Sequence, residues 1–219
     1  MKGIFGQRLL AFLSVIWLLS IAILATIYIA WLAYPLEIDW LNLLDQVTLS
    51  KSELLSNYNH LLNYLTNPFA KLLQMPDFQS SGDGLKHFAD VKSLFHLVQV
   101  IFVVMLVPSL YFLIRSWRKK LLFLHQKTYL IAALVPLVIA ALGLAMGFNE
   151  FFTLFHQLLF PGDSTWLFNP YTDPIIWVLP ETFFMHCFLL FFVLYEGLMW
   201  LTYAVSRYTL KQRHHLSSQ

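Results

Sequence analysis

Residues 9–36 read LLAFLSVIWLLSIAILATIYIAWLAYPL and contain no charged side chain. Three further apolar stretches follow at 94–114, 129–148 and 182–205, and the only charged residue within them is Glu196. The hydrocarbon core of a bilayer is about 30 Å thick, and a helix of about 20 apolar residues can cross it. Because backbone groups in lipid must bond to one another, each stretch is predicted to be helical. The predicted fold class is therefore an all-α integral membrane protein with four transmembrane helices.

The charged residues between these stretches predict the orientation of the chain. The loop 115–128 contains five lysines and arginines and no acid, whereas the loop 149–181 contains four acids and no lysine or arginine. Lysine and arginine accumulate in the cytoplasmic loops of membrane proteins. We therefore expect both termini and the loop 115–128 in the cytoplasm, and the loops 37–93 and 149–181 outside. The whole chain, 1–219, is expected to form a single membrane domain.

The two outer loops contain further helical or interfacial segments. Ser50 and Glu53 fit a capping box that begins an amphipathic helix, and Asn67–Pro68 is expected to end it. The segment FFTLFHQLLF, at 151–160, is too short to cross a bilayer, and apolar segments of this length are often interfacial or re-entrant. The next segment, 166–180, has three prolines and no helical period. Irregular backbone near a membrane must be covered by protein or line a cavity, so a lipid-accessible pocket is expected on the outer side.

Two histidines on the predicted outer side are candidates for acid–base chemistry. His87 precedes the second span, and Asp90, three residues later, is spaced to accept a hydrogen bond from its imidazole. His156 lies within the apolar segment 151–160. Because the predicted topology places both histidines at one membrane face, they form a candidate catalytic pair. Packing without a catalytic role is the alternative interpretation of each residue.

Several other chemistries lack support in the sequence. The hydrolase motifs GxSxG and HExxH are absent, and so is a nucleotide-binding Walker loop. The single cysteine, Cys187, excludes an internal disulfide and a cysteine metal cluster. The net charge of +2 reflects the flanks of the spans, so it does not indicate nucleic-acid binding. Direct acid–base catalysis is therefore the chemistry favoured for an enzyme of this kind.

At these residues the chain resembles the lipoprotein intramolecular transacylases, the Lit family of small four-span bacterial membrane proteins. The first matching block is HFADVK, at 87–92, which leads into the second span. The second block runs from Asn149 to His156 and continues with WLFNPYTDP at 166–174 and with Pro180–Glu181. Size, span count and orientation also agree, so the resemblance covers nearly the whole chain.

The resemblance implies a membrane acyltransferase of low-GC Gram-positive bacteria, in the plasma membrane, with an active site on the extracytoplasmic side. Its substrate is a lipoprotein whose N-terminal cysteine carries a thioether-linked diacylglyceryl group. The sn-2 acyl chain moves to the α-amine of that cysteine and gives a lyso-form lipoprotein. No metal or other cofactor is required. The expected partners are the lipoprotein substrate and membrane lipids, and no nucleic acid.

The predicted site combines this resemblance with the chemistry of the residues. His87 is favoured as the base, oriented by Asp90, and His156 is the second acid–base group or stabilises the oxyanion. Which histidine takes which role stays open. The candidate donors to the oxyanion or to the glyceryl group are Lys92, Asn169 and Tyr171. The other supporting or substrate-binding residues are Asn149, Trp166 and Asp173.

Two functions of other classes remain as alternatives. A metal or haem protein with His87 and His156 as ligands predicts bound metal or a Soret band in the purified protein. A non-catalytic membrane protein that binds a lipid or a partner predicts that alanine at both histidines leaves its function intact.

Overall fold

A computed structural model describes the backbone of residues 2–217 and the side chains of residues 6–212. Six α-helices make up most of this part of the chain, and it contains no β-strand. Short 3-10 turns lie at Leu43–Gln46, Leu122–His125 and Pro174–Trp177. The helices are Lys2–Trp40 (α1), Lys51–Thr66 (α2), Gly82–Arg118 (α3), Gln126–Met146 (α4), Phe148–Leu159 (α5) and Glu181–Ser217 (α6).

Four of these helices, α1, α3, α4 and α6, are long and apolar enough to cross a bilayer. Each contains most or all of one predicted apolar stretch, which confirms the prediction of an all-α protein with four membrane-spanning helices. Apolar side chains exposed along α3, such as Val103 and Val107, suit a surface solvated by lipid tails. The side of the membrane that the termini face stays a prediction.

The helix α4 ends at Met146, two residues before the end of the predicted stretch, because Gly147 interrupts it. Gly147 has a φ of 90°, a backbone conformation that residues with a Cβ rarely adopt. The chain then begins α5, which contains most of the apolar segment 151–160. After Phe160, Gly162 with a φ of 76° allows the turn that starts the irregular segment.

The chain divides into two compact units, each with its own apolar core. The first unit consists of the described parts of 1–25, 98–142 and 190–219. Its buried residues include Trp17, Tyr129 and Met199. Because α1, α3 and α6 contribute residues to both units, the assignment of 1–219 to one domain stays a prediction.

The second unit consists of 26–97 and 143–189, and it contains every predicted site residue. Its core is formed around α2, whose capping box of Ser50 and Glu53 is present as predicted. The ring of Tyr58 on α2 stacks on Tyr34 with 3.6 Å between centroids, and the Tyr34 hydroxyl donates to the Val178 carbonyl at 2.7 Å. The apolar face of α2 therefore packs against protein.

Candidate active site

The two candidate catalytic histidines are neighbours in the second compact unit. His87 lies in the second turn of α3, and His156 lies on α5. Their ring centroids are 5.8 Å apart, with an angle of 36° between the ring planes. Side chains at this separation can contact the same small group of a substrate, so the topology and the fold together create a two-histidine site.

His87 is enclosed by aromatic rings. Its ring meets Phe160 at 5.1 Å and Phe168 at 5.5 Å, both nearly edge-on, and only 8% of the residue is exposed. Nδ1 of His87 is buried without a hydrogen-bond partner among the described residues. An unsatisfied buried nitrogen costs about 1–3 kcal/mol, so such groups in proteins often have a functional reason. No protein partner therefore fixes the tautomer of His87.

His156, in contrast, has a fixed tautomer. Its Nδ1 lies 2.8 Å from the carbonyl oxygen of Phe152, one turn earlier on α5. Because a carbonyl can only accept, Nδ1 carries the proton and Nε2 is left with the lone pair. Burial lowers the pKa of His156, and the Phe152 hydrogen bond offsets part of that effect. Near neutral pH, His156 is therefore an uncharged imidazole that can accept a proton at Nε2.

The side chain of Trp166 packs against His156. The indole ring stacks on the imidazole with 4.7 Å between centroids and 25° between planes. The indole Nε1 donates to the backbone carbonyl of Asp163 at 3.1 Å, which holds the ring in this position. Of the loop residues predicted from the sequence, Trp166 is the one in ring contact with the histidine pair.

An ion pair between two residues that were not predicted as site residues lies beside the histidines. The ammonium group of Lys86 binds the carboxylate of Asp163, which also accepts from the Thr165 backbone N–H at 2.9 Å. Lys86 and these Thr165 hydrogen bonds hold the pKa of Asp163 well below its usual range. Asp163 thus connects the residue before His87 with the tryptophan that stacks on His156.

The predicted hydrogen bond between Asp90 and His87 is wrong. The described chain contains no such bond, and Nδ1 of His87 has no partner. Spacing of three residues puts both side chains on one side of α3, but His87 is buried against Phe160 and Phe168, whereas Asp90 is partly exposed. Asp90 therefore does not orient the imidazole directly.

Lys92, predicted as a donor to the oxyanion or to the glyceryl group, has other partners in the structure. Its ammonium group donates to the backbone carbonyl of Ala70 and lies 4.2 Å from the centroid of the Tyr64 ring. These contacts hold Lys92 against the end of α2 and the segment after it. The described contacts of Lys92 include neither histidine.

Asn169 and Tyr171 lie in a tight turn of the irregular segment. The Asn169 side-chain oxygen accepts from the Tyr171 backbone N–H at 3.0 Å, and the Asn169 carbonyl accepts from the Asp173 N–H at 2.8 Å. Tyr171 itself is 88% exposed. Asn169 therefore shapes the turn, and the Tyr171 side chain is exposed rather than enclosed with the histidines.

Asp173 joins this turn to the start of the helix that carries His87. Only 2% of Asp173 is exposed, and its Oδ1 accepts from the Ser81 backbone N–H at 2.8 Å. The Ser81 hydroxyl in turn accepts from the Gly84 N–H at 2.9 Å, which caps α3. Asp173 thus supports the position of His87 without contacting it.

Asn149 connects the helix that carries His156 with α6. Its side-chain amide donates to the Glu181 carboxylate at 2.9 Å, which joins the first turns of α5 and α6. The structure therefore brings together His87, His156 and Trp166, and it gives Asn149, Asn169 and Asp173 structural contacts nearby.

The site has few side chains that could bind a metal ion. Among the described residues, no group of three or more histidine, cysteine, aspartate or glutamate side chains is arranged to hold an ion. His156 uses Nδ1 for the Phe152 carbonyl, so the pair could offer a metal at most one nitrogen from that residue. The geometry is better suited to proton transfer between two imidazoles and a substrate.

Comparisons with known proteins agree with this description. The family model for the lipoprotein intramolecular transacylase Lit matches residues 8–184. The structure of the membrane-integral Lit from Bacillus cereus is 32% identical, with a TM-score of 0.83 over 96% of this chain and 99% of that chain.

Two structures of variants of the Bacillus cereus protein, in which one histidine is replaced, are also similar. The arginine variant is 32% identical with a TM-score of 0.76, over 98% of this chain and 96% of that chain. The alanine variant is 31% identical with a TM-score of 0.76, over 96% of each chain. A comparison with curated proteins gave no match. Because the family model and a full-length solved structure both match, the chain belongs to the lipoprotein intramolecular transacylase (Lit) family of membrane acyltransferases.

Proposed function

We propose that the protein transfers the sn-2 acyl chain of a diacylglyceryl lipoprotein to the α-amine of the same lipoprotein's N-terminal cysteine. The product is an amide-linked acyl chain and a glyceryl group with a free sn-2 hydroxyl. The observation that carries the proposal is the pair of imidazoles, 5.8 Å apart in an aromatic enclosure, one with a fixed lone pair at Nε2. Membership of the Lit family supports a lipoprotein as the substrate.

The reaction requires one proton to leave the amine and one to reach the departing oxygen. An α-amine has a pKa of about 8, so part of it is neutral and nucleophilic near neutral pH, and a neutral imidazole can accept the N–H proton that the attacking nitrogen loses. The neutral amine nitrogen attacks the sn-2 ester carbonyl. As the new C–N bond forms and the carbonyl oxygen becomes negative, one N–H proton passes from that nitrogen to the imidazole. When the C–O bond breaks, the imidazolium returns its proton to the glyceryl oxygen, so no net proton is gained or lost.

The structure favours His156 as the group that first accepts the amine proton. Its tautomer leaves Nε2 without a hydrogen, so a neutral His156 cannot donate to the oxyanion. His87 has no partner that fixes its tautomer, so it can present an N–H to the oxyanion or to the leaving oxygen. The preference for His87 as base rested on Asp90, and the hydrogen bond that would support it is absent.

The aromatic enclosure contributes orientation. The nucleophile and the ester belong to one molecule, so the enzyme must fold that molecule until the amine reaches the ester carbonyl. Correct orientation of such reactants can contribute about 7–11 kcal/mol to the reduction of the barrier. Rings such as Phe160 and Phe168 form an apolar wall beside His87 that suits acyl chains and excludes water.

Mass spectrometry of a model lipoprotein tests the proposal. The substrate is incubated with the purified protein in lipid, and the N-terminal lipopeptide is fragmented. We expect an amide-linked acyl chain on the cysteine and a monoacylglyceryl group on its thioether. The total mass of the lipopeptide should be unchanged. A diacylglyceryl cysteine that keeps its free amine in the presence of folded protein would refute the proposed reaction.

A further inference from the structure

A small cationic cleft is formed entirely within the first compact unit. Its volume is about 80 Å³. The lining residues come from α1, from α3 and from the segment between α3 and α4, and none of them is acidic. They include Gln7, Leu10, Phe112, Arg115, Lys119 and His125.

The two permanent cations of the cleft are available to an anion. The guanidinium of Arg115 donates to the Tyr111 hydroxyl at 3.0 Å and lies over the same ring, and its other N–H groups have no partner among the described residues. The ammonium of Lys119 forms no ion pair or hydrogen bond with any described residue. A guanidinium and an ammonium on one wall are the side chains that proteins use to bind phosphate.

Part of the remaining cleft wall is apolar. Leu10 and Phe112 line it, and His125 is buried with its ring edge-on to Phe112 at 5.2 Å. The side chain of His125 has no hydrogen-bond partner among the described residues. The cleft therefore combines cations with apolar surface, which matches a phosphate attached to a glycerol backbone better than a fully hydrated ion.

The cleft lies where two predicted spans leave the hydrocarbon layer. Arg115 directly follows the apolar stretch 94–114, and Gln7 precedes the stretch that begins at residue 9. Lipid headgroup phosphates occupy this depth in a bilayer, and basic pockets between spanning helices bind anionic headgroups there. This placement holds for either orientation of the chain.

We propose that this cleft binds the headgroup phosphate of an anionic phospholipid. Arg115 and Lys119 contact the phosphate oxygens, and Leu10 and Phe112 contact the glycerol and upper acyl carbons. The site is separate from the histidine pair, and its occupancy does not depend on the acyl-transfer reaction. Binding is expected to stabilise the first compact unit, because a ligand that binds only the folded state shifts the unfolding equilibrium.

The test compares lipid binding by two variants that lose the same charge. Native mass spectrometry measures phosphatidylglycerol and phosphatidylcholine retained by the purified protein. The Arg115→Gln/Lys119→Gln variant loses both cations of the cleft, and the Arg118→Gln/Lys127→Gln control loses two exposed cations of the same loop that do not line it. We expect phosphatidylglycerol to bind about tenfold or more weakly to the first variant than to the control, because charge-assisted hydrogen bonds are lost.

Three outcomes would overturn the proposal. Equal loss of phosphatidylglycerol in both variants would show diffuse attraction to the basic loop. Equal retention of phosphatidylcholine and phosphatidylglycerol by the wild type would show no requirement for an anionic lipid. Displacement of the bound lipid by excess inorganic phosphate, with the same thermal stabilisation as phosphatidylglycerol, would assign the cleft to a soluble anion.

Discussion

Lys86 and Asp163, 77 residues apart in the sequence, form an ion pair that joins the surroundings of the two histidines. Lys86 directly precedes His87 on α3. The backbone carbonyl of Asp163 holds Trp166 at 3.1 Å, and the Trp166 ring stacks on His156. A single contact thus fixes the loop after α5 against the helix that carries the other imidazole.

Replacing Asp163 with asparagine is expected to lower kcat by about 10- to 100-fold, because small displacements of reacting groups are costly. The asparagine keeps an acceptor for Thr165 but loses the charge that binds Lys86. Reversing both charges, with Lys86→Asp and Asp163→Lys, should restore part of the activity. The measurement is the rate of acyl transfer to the cysteine amine, followed by mass spectrometry.

The control for this prediction is a second lysine–aspartate pair in the same unit. Lys51 binds Asp39 at 2.6 Å on the exposed surface, and neither residue belongs to the ring contacts around the two site histidines. Exposed ion pairs contribute about 0–1 kcal/mol, so Asp39→Asn should leave kcat close to wild type. An equal loss of activity in both variants would mean that Asp163 has no special role in positioning.

The sequence was sufficient for the fold because lipid restricts the possible structures. An uncharged stretch such as 9–36 can only be a helix in a bilayer, and α1 is that helix. The capping box of Ser50 and Glu53 was also predictable, since it involves a local contact over three residues. The end of α4 was predicted at residue 148, two residues too late, because the residues around Gly147 are apolar and compatible with the span.

The site was less predictable because its contacts are long-range. The predicted topology placed His87 and His156 at the same face of the membrane, but it did not predict their aromatic enclosure. The spacing correctly placed Asp90 and His87 on the same helix, but it wrongly predicted a hydrogen bond between them. A three-residue offset does not determine how deeply each side chain is buried. The hydrogen bond between His186 and Glu37, at 2.8 Å, is likewise a tertiary contact without a sequence pattern.

Substitutions of the two histidines by alanine and glutamine separate their proposed roles. Alanine at either position should lower kcat by at least about 10²-fold, the lower end for a positioned acid–base group. Glutamine can donate a hydrogen bond but cannot carry a proton between groups. We therefore expect His87→Gln to keep more activity than His87→Ala, and His156→Gln to be as inactive as His156→Ala.

The control for the histidine series is His60, whose Nδ1 lies 2.8 Å from the Ser56 carbonyl on the exposed side of α2. His60→Ala should be close to wild type in a lipoprotein mass assay. Partial activity of His156→Gln together with none in His87→Gln would reverse the assignment and make His87 the base. Full activity of a double alanine variant at the two site histidines would remove acid–base catalysis by this pair.

Below the pKa of about 8 of the substrate amine, kcat/KM should fall with the neutral fraction of that amine, and a second, steeper fall should report the lowered pKa of His156. The neutral imidazole is the active form, so activity should be lost as the pH falls through that lowered pKa, below the usual value of about 6.5. Trp166→Ala exposes the imidazole to water, which should raise its pKa and move the acidic limb to higher pH. Trp166→Phe keeps a stacked ring and should leave the acidic limb of the pH profile at its wild-type pH. Identical shifts of the acidic limb in both variants would contradict this explanation.

The orientation of the chain can be tested by labelling single cysteines from outside the cell. In a Cys187→Ala background, Ser164→Cys should react with a membrane-impermeant maleimide, because the acidic loop 149–181 is predicted to face outward. Arg118→Cys, in the basic loop, should react only after the membrane is permeabilised. The opposite labelling pattern would place the histidine pair on the cytoplasmic side.

The close approach of Asp173 to the start of α3 predicts a position that tolerates only glycine. A Cβ on Gly84 would lie 2.1 Å from Oδ1 of Asp173, so Gly84→Ala must displace the carboxylate that binds the Ser81 N–H. We expect a loss of stability of about 1–3 kcal/mol, as for other overpacked sites, and a lower rate because His87 follows three residues later. Gly82→Ala is the matched control, since a Cβ there meets no atom within 4 Å. The two variants are compared by thermal unfolding in detergent and by their rates of acyl transfer. If Gly84→Ala has the same unfolding temperature and the same acyl-transfer rate as Gly82→Ala, the contact between Asp173 and the start of α3 does not support the site.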